Sequence, residues 1–209
     1  MIVRTVEDRL REEYFALLPE MRRAVSILEA EAQCLVTPVI ETLDSGERVH
    51  VASRVKECES AVAALRRRQE GRIESGRAYS LTTLNDLAGV RILAFPDERL
   101  HQVELRVRER FAAWVADPVR LTRCSGDQLA QKYHGYCRAN SRIRAEIQLV
   151  PMLVGLFWTV EHAALYKPTR KLRVERIEEM NARHDEVIGA LQAFERAFGE
   201  EVRDAPLPT

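Results

Sequence analysis

Apolar residues near the start of the chain recur at the spacing of an α-helix. Between residues 5 and 34 they recur about every three or four positions, with one adjacent pair, at Leu10, Tyr14, Leu17, Leu18, Met21, Val25, Leu28 and Ala32. This pattern predicts a long amphipathic helix. Pro19 lies inside it and is expected to kink or split it, because proline removes a hydrogen bond within a helix.

Short apolar runs between the helical stretches predict strands. Residues 49–52 alternate in polarity, and residues 89–95 are almost continuously apolar. A continuous run indicates burial on both faces, so we expect the strand at 89–95 to lie inside the sheet. Residues 55–69 have the helical pattern, and a helix capped by Asp97 is expected to end near Val115.

The second half of the chain predicts a hairpin followed by two helices. A strand at 119–124 precedes two strands at 133–139 and 143–150 that are joined by a tight turn. Helices are then expected from 151 to about 166 and from 168 to about 202. Strands that alternate with helices, together with a late hairpin, predict an α/β (α+β) fold in which helices flank a mixed sheet.

The length of the hairpin turn decides which side chains lie opposite one another. A three-residue turn, 140–142, would place Tyr136 opposite Glu146. His134 would then lie opposite Gln148. A two-residue turn would shift the register by one and put Tyr136 and Glu146 on opposite faces. Glu146 and Gln148 share a face in either case, because side chains alternate along a strand.

Length and charge narrow the class of protein. The 209 residues are 46% hydrophobic, which suits a single domain with its own core. We divide it into N-terminal helices at 1–45, a core at 46–167, a C-terminal helix at 168–203 and a tail at 204–209.

The 32 basic and 32 acidic residues cancel, so nothing favours nonspecific nucleic-acid binding. The chain has no apolar run of membrane-spanning length, and its four cysteines lack metal-site spacing, so we expect a cytoplasmic protein with no membrane contact.

Four short motifs follow one another along the chain. They are Ser53-Arg54-Val-Lys56 with Ser60, Asp86-Leu-Ala-Gly-Val-Arg91, Lys132-Tyr-His-Gly-Tyr136, and Glu146-Ile-Gln148 with Glu161-His162 on the following helix. In this order they resemble the synthetase domain of the RelA/SpoT-type alarmone synthetases, and the chain looks like a divergent small member. The resemblance implies a nucleotidyltransferase-like fold. It also implies a GTP pyrophosphokinase, which transfers the β,γ-pyrophosphate of ATP to the 3′-hydroxyl of GTP or GDP and makes a (p)ppGpp-type alarmone.

The resemblance also implies a metal site and a catalytic base. Asp86 and Glu146 match the family's two carboxylates, which hold Mg²⁺, and Glu146 matches the residue that activates the 3′-hydroxyl. Carboxylate oxygens combined with water and phosphate are the ligands that Mg²⁺ prefers. The alternative is that Asp86 only caps a turn, a common role for an aspartate before a strand.

The ATP-binding residues implied by the resemblance are Arg54, Lys56, Ser60 and Arg91. The first two come after a predicted strand and open a predicted helix, where backbone N–H groups favour anions. Arg91 lies on a buried strand, so its charge needs a partner. That partner is either a phosphate of ATP or a carboxylate such as Glu161.

The acceptor nucleotide is expected to contact Lys132, Tyr136 and Gln148. Tyr136 matches the family residue that stacks on guanine, and Lys132 matches a lysine that binds phosphate. Gln148 lies on the same side of its strand as Glu146.

The helix after Glu146 is expected to support the site. Glu161 and His162 match family residues there, with a direct role of His162 in proton transfer as the alternative. Phe157 and Trp158 on the same helix are expected to lie in the core.

The chain departs from the family pattern mainly among the acceptor residues. The histidine that ends the motif around Tyr136 is replaced by Asn140. An arginine and a threonine expected after Gln148 are replaced by Val150 and Pro151, and a polar residue on the next helix is replaced by Gly155.

These departures leave two alternatives open. One is a toxic small synthetase that places pyrophosphate on the 3′ end of tRNA or on an adenine nucleotide. The other is a catalytically silent nucleotide-binding module. In either case the charged C-terminal helix at 168–203 is available to a second copy of the chain or to an antitoxin protein.

Overall fold

A computed structural model describes residues 5–69, 79–114, 119–122, 128–161 and 174–204. In those ranges the elements are α1 (Val6–Ile40), β1 (Arg48–Val55), α2 (Cys58–Gln69), a 3₁₀ turn (Leu81–Thr83), β2 (Ala88–Phe95), α3 (Glu98–Arg110), β3 (Val119–Thr122), β4 (Gln128–Gly135), β5 (Ala145–Pro151), α4 (Met152–Glu161) and α5 (Val174–Asp204). Within the same ranges, no helix combines the length and the apolar composition needed to cross a membrane.

The strands form one sheet in the order β1-β2-β5-β4-β3. β2 and β5 run parallel, and every other neighbouring pair runs antiparallel. The predicted α+β fold with a mixed sheet is therefore confirmed. β2 has a hydrogen-bonded strand on each side, as its continuous apolar run predicted.

The two faces of the sheet differ. On one face, Val90, Ile92 and Ile147 are buried in the main core, to which α1 and α3 also contribute. On the opposite face, Leu93 and Val150 pack under α4 near the carboxyl ends of β2 and β5. The amino ends of the same two strands carry polar and charged side chains on that face. Alternation along each strand thus provides a core on one side and a polar site on the other.

α1 continues through Pro19, so the predicted split at that residue is wrong. Thr5 begins the helix with a capping box, and the helix ends at Ile40, beyond the predicted end. Leu17 and Met21, on either side of Pro19, are only 2% and 0% exposed. Their burial stabilises the helix across a residue that cannot donate an intrahelical hydrogen bond.

β1 is longer than the predicted strand at 49–52, because every residue from Arg48 to Val55 pairs with β2. Backbone pairing does not depend on side-chain polarity, so the polar end of this strand was not recognised from its pattern. Arg54 therefore lies in β1, and Lys56 lies in the turn before α2. The prediction that these two residues open the helix is wrong.

α3 ends at Arg110 and not near Val115. After it the chain turns, and the ring of Trp114 packs on the ring of Phe111 with centroids 4.8 Å apart. Asp97 occupies the position before the helix, as predicted, but its side chain makes no capping hydrogen bond.

The hairpin differs most from prediction. β4 ends at Gly135 and β5 begins at Ala145, so residues 136–144 form a loop between them, which we call the β4–β5 loop. His134 therefore lies opposite Glu146, not Gln148. The predicted pairing of Tyr136 with Glu146 is wrong, because Tyr136 has left the strand.

Two contacts distant in sequence explain the early end of β4. A Cβ atom on Gly135 would lie 2.3 Å from Cγ of Trp114, so this position accepts only glycine against the indole ring. The carboxylate of Glu20 on α1 accepts hydrogen bonds from Ser141 Oγ at 2.9 Å and from the backbone N–H of Arg142 at 2.7 Å. These bonds hold the β4–β5 loop against α1 and away from the strand ladder.

Candidate functional site

The polar half of the sheet face consists of two rows of side chains, each crossing four strands. The rows are Arg54, Gly89, Glu146 and His134, and Ala52, Arg91, Gln148 and Lys132. Residues directly opposite on neighbouring strands share a face, so each row stands on the same side of the sheet. The strand register therefore brings together side chains from four separate parts of the chain.

A cavity of about 450 Å³ lies over these rows, and we call it the polar cavity. Its lining residues are Ala52, Ser53, Arg54, Gly89, Val90, Arg91, Lys132, Glu146, Gln148, Trp158, Thr159 and Glu161. The last three belong to α4, which forms one wall. The volume is within the range of small-molecule sites in proteins.

Glu146 is the most strongly held group in the polar cavity. It is 4% exposed, and its Oε2 accepts a hydrogen bond from His134 Nε2 at 2.9 Å and lies 3.5 Å from Lys132 Nζ. The side-chain amide of Gln148 donates to Oε1. Burial raises the pKa of Glu146, but the hydrogen bonds and charges of His134, Lys132 and Gln148 outweigh it and lower the pKa to about 2. Glu146 is therefore an ionised carboxylate at neutral pH.

Arg91 and Arg54 provide two neighbouring positive charges. Arg91 donates from Nε to Gln148 Oε1 at 2.8 Å and from Nη1 to Thr159 Oγ1 at 3.5 Å. Burial lowers the pKa of Arg91, and the nearby charge of Arg54 lowers it further. The partners of Arg91 are an amide and a hydroxyl, so the alternative of an ion pair with Glu161 is wrong.

Gly89 stands between Arg54 and Glu146 in the first row. A Cβ at this position would lie 3.2 Å from the backbone oxygen of Glu146, which is closer than ordinary contact. The absence of a side chain leaves the floor of the polar cavity open between the cation and the carboxylate.

Asp86 and Lys56 form an ion pair with each other beside the polar cavity, and neither lines it. Their side chains are 23% and 13% exposed, respectively. The backbone N–H of Lys56 also donates to Leu87 at 2.9 Å, which fixes the turn after β1 against the start of β2. Asp86 thus binds a cationic side chain, and the metal and triphosphate contacts expected of these two residues stay predictions.

The predicted magnesium site rests on Asp86 and Glu146. Among the described residues, no group of three or more histidine, cysteine or acidic side chains is arranged for a metal. One or two carboxylates, with water and phosphate oxygens, are sufficient for Mg²⁺. Asp86 is partly exposed and fits that donor set once Lys56 is displaced, whereas both oxygens of Glu146 already accept hydrogen bonds.

The remaining residues that were predicted to form the site lie in different parts of the structure. Ser60 lies in the first turn of α2 and does not line the polar cavity. Tyr136 is 52% exposed at the start of the β4–β5 loop. Lys132 and Gln148 line the polar cavity, and the contacts with the acceptor expected of them stay predictions. His162 lies outside the described residues.

Glu161 lines the polar cavity and also joins α4 to α5. Its Oε1 is 2.6 Å from Nδ1 of His184, whose ring lies 5.5 Å from that of Phe157. This contact is consistent with the supporting role expected of Glu161, which stays a prediction.

Two residues of the cavity wall and one neighbour of Glu146 carry side chains that were not predicted to belong to the site. His134 contacts Glu146, and Trp158 and Thr159 form part of the wall. Trp158 was expected in the core, but it is only partly buried. His134 alternates with Lys132 along β4, and this shared face was the signal that could have identified it.

On β5 and α4, the positions that depart from the family pattern are occupied by residues that serve apolar packing. Val150 is 0% exposed in the apolar cluster under α4. A Cβ on Gly155 would lie 2.4 Å from Cδ2 of Leu93, so the close approach of α4 to β2 leaves no room for a side chain there.

No protein-family model matches the sequence, and a search of curated proteins found no significant match. Solved structures do match. Small alarmone synthetase 1 from Bacillus subtilis is 20% identical, with a TM-score of 0.66 over 93% of this chain and 100% of that one. A GTP pyrophosphokinase family protein from Streptococcus pneumoniae is 20% identical, with a TM-score of 0.61 over 92% of this chain and 94% of that one.

The Bacillus subtilis protein has also been solved with nucleotides. Its complex with AMPCPP is 20% identical to this chain, with a TM-score of 0.63 over 93% of this chain and 100% of that one. Its complex with its product pppGpp is 19% identical, with a TM-score of 0.63 over 92% of this chain and 99% of that one. The chain therefore has the fold of the small alarmone synthetases, as the four motifs implied.

Proposed function

We propose that the protein is an ATP-dependent pyrophosphokinase that transfers the β,γ-pyrophosphate of ATP to the 3′-hydroxyl of GTP or GDP. The observation that carries this proposal is the composition of the polar cavity. Arg54 and Arg91 form no ion pair at contact distance among the described residues, and they share the cavity with Glu146, a buried and ionised carboxylate whose charge acts on Arg91. Pyrophosphoryl transfer needs both features, cations for the donor and a carboxylate for the attacking hydroxyl.

The two arginines suit the donor nucleotide. Arg91 uses two of its five N–H donors on Gln148 and Thr159, and Arg54 makes no hydrogen bond within the described part of the chain. Burial is the main reason that the pKa of Arg91 is lowered, and repulsion from the neighbouring guanidinium group of Arg54 lowers it further. A bound triphosphate would relieve this repulsion, and a purine ring would stack well on a guanidinium plane.

Glu146 suits the acceptor hydroxyl. In the proposed reaction the 3′-oxygen attacks the β-phosphorus of ATP, the bond from that phosphorus to the α-phosphate oxygen breaks, and AMP leaves. Glu146 accepts the hydrogen bond of the hydroxyl, orients it and receives its proton. Because a pKa of about 2 makes Glu146 a weak base, proton transfer is expected to follow bond formation to phosphorus.

The proposed reaction also includes a Mg²⁺ ion. Asp86 would hold Mg²⁺ together with phosphate oxygens, and the ion would neutralise charge on the transferred group. Lys56 would exchange its bond to Asp86 for one to a phosphate of ATP. Both side chains are already adjacent, so this exchange needs only a local movement.

The choice of acceptor is supported by Lys132 in the polar cavity and by Tyr136 at the start of the β4–β5 loop. The nucleotides bound to the Bacillus subtilis protein, AMPCPP and pppGpp, also support an adenine nucleotide as donor and a guanine nucleotide as acceptor. Transfer to tRNA, a partner for α5 and a cytoplasmic location remain predictions.

The proposal is tested by incubating purified protein with γ-labelled ATP and Mg²⁺, with GTP, GDP, ATP or deacylated tRNA in parallel. Label in a guanosine product and release of AMP are the expected results. Label in tRNA or in an adenine nucleotide would replace the acceptor but keep the reaction. Binding of ATP with no labelled product from any acceptor would mean a silent nucleotide-binding module.

A further inference from the structure

Arg144 joins the two segments that carry the predicted catalytic carboxylates. It immediately precedes β5, two residues before Glu146, and its Nη1 donates to Oδ1 of Asn85 at 3.0 Å. Asn85 in turn precedes Asp86. The guanidinium group is therefore held beside the amino ends of β2 and β5, where the polar half of the sheet face begins.

The same guanidinium group lies over the ring of Tyr136, with Cζ 5.7 Å from the ring centroid. This distance is within the range of a cation–π contact. Tyr136 is 52% exposed, so its ring remains accessible while Arg144 restrains it. An aromatic ring held on one side by a cation is ready to stack a nucleotide base on its other side.

Arg144 also has an unsatisfied charge. It forms no ion pair with an aspartate or glutamate in the described part of the chain, and its buried Nε–H has no hydrogen-bond acceptor. The neighbouring Arg142 differs, because its Nε donates to Glu20 at 3.0 Å. Apart from the cation–π contact with Tyr136, the only partner of the guanidinium charge in the described residues is the neutral amide oxygen of Asn85, so an anionic group that reached the Nη atoms would be bound favourably.

We infer that Arg144 is a specificity-determining residue of the acceptor site, which restrains Tyr136 for base stacking and binds a 5′-phosphate of the acceptor nucleotide. The inference rests on the proposed function and narrows its acceptor to a purine nucleoside 5′-di- or triphosphate. A planar guanidinium group suits a terminal phosphate, to which it donates two parallel N–H bonds. The 3′ end of tRNA offers only a phosphodiester at the equivalent position.

Equilibrium binding of GTP and of guanosine tests the inference in Arg144→Gln, which keeps an N–H donor for Asn85 but loses the charge. Charge-assisted hydrogen bonds are strong enough that we expect GTP to bind roughly tenfold or more weakly, with guanosine changed by less than about threefold. Arg144→Lys should retain most of the preference for GTP. Arg138→Ala removes an exposed charge from the same loop and serves as the control, with GTP binding unchanged.

Three results would overturn the inference. Equal weakening of GTP and guanosine would mean that Arg144 only supports Tyr136, and unchanged GTP binding would remove Arg144 from the site. Wild-type protein that binds an ATP analogue but no guanine nucleotide would contradict the proposed acceptor as well. Wild-type binding of GTP therefore separates a failure of this inference from a failure of the proposed function.

Discussion

The carboxylate of Glu195 on α5 accepts a hydrogen bond of 2.9 Å from the backbone N–H of Leu153, in the first turn of α4. Glu195 is 0% exposed, and its second oxygen has no hydrogen-bond partner in the part of the chain that the structure describes. Because α4 forms one wall of the polar cavity, this bond makes α5 a support for the site. Glu161 and His184 provide a second connection at the other end of α4.

Glu195 should make stability depend on pH. Burial raises its pKa from 4.5 to about 7, the Leu153 hydrogen bond opposes that shift, and the charges of Asp97 and Glu98 add to it. Between about pH 4.5 and 7 the unfolded chain releases this proton while the folded protein keeps it. The free energy of unfolding therefore falls as pH rises through this range, and the contribution of Glu195 is constant above about pH 7. The loss amounts to about 3 kcal/mol at most.

Thermal unfolding of Glu195→Gln at several pH values measures this effect. The variant should be more stable than wild type at pH 8, and the difference should disappear near pH 4.5. Glu200→Gln changes an exposed residue of the same helix and serves as the control. An unchanged pH dependence in Glu195→Gln would show that another group is responsible.

Asp86→Asn should abolish pyrophosphate transfer and also lower stability. The substitution removes the carboxylate from Lys56, whose side chain is only 13% exposed. The contribution of a partly buried ion pair to stability lies between those of exposed and buried pairs. We therefore expect the free energy of unfolding to fall by about 1–3 kcal/mol. The double variant Lys56→Ala/Asp86→Asn should lose less than the sum of the two single variants, as a double-mutant cycle by urea unfolding would show.

A second measurement on Asp86→Asn tests its role in metal binding. Mg²⁺ should tighten the binding of an ATP analogue to wild type and have little effect on the variant. An equal effect of Mg²⁺ on both proteins would leave Asp86 as a structural partner of Lys56 alone.

Glu146→Gln should lower turnover at least ~100-fold while acceptor binding stays nearly intact, because the shape is kept and the carboxylate is lost. With the pKa of Glu146 lowered to about 2, its charge does not change between about pH 5 and 8. The pH profiles of wild type and variant should therefore have the same shape over that range. Wild-type turnover in the variant would contradict the mechanism even if the reaction is correct.

Arg54→Ala and Arg91→Ala should each weaken ATP binding by roughly tenfold or more, since hydrogen bonds to charged groups contribute about 1.5–3 kcal/mol. The loss should shrink as salt is added, because screening weakens the attraction that the arginine supplies. Arg67→Ala removes an exposed charge from α2 and is the matched control. If all three variants bind ATP equally well, Arg54 and Arg91 do not bind the donor nucleotide.

Local sequence pattern predicted the elements and much of the polar face. Continuous apolar residues predicted that β2 lies inside the sheet, because only a strand covered on both faces can hold them. Alternation placed Glu146 and Gln148 on one face, and the structure has them there with Arg91. The resemblance in four motifs anticipated the small alarmone synthetase fold, and the structural comparison confirms it.

By itself, then, the sequence determined which face of each helix and strand is apolar, because the spacing of apolar residues is a property of consecutive positions. Only the tertiary structure decided the register of β4 on β5, because Glu20 and Trp114 act on it from distant elements. The pairing of Lys56 with Asp86 was likewise decided by the packing of the turn after β1 against β2. Contacts between residues far apart in the chain depend on how whole elements pack, and no local pattern records them.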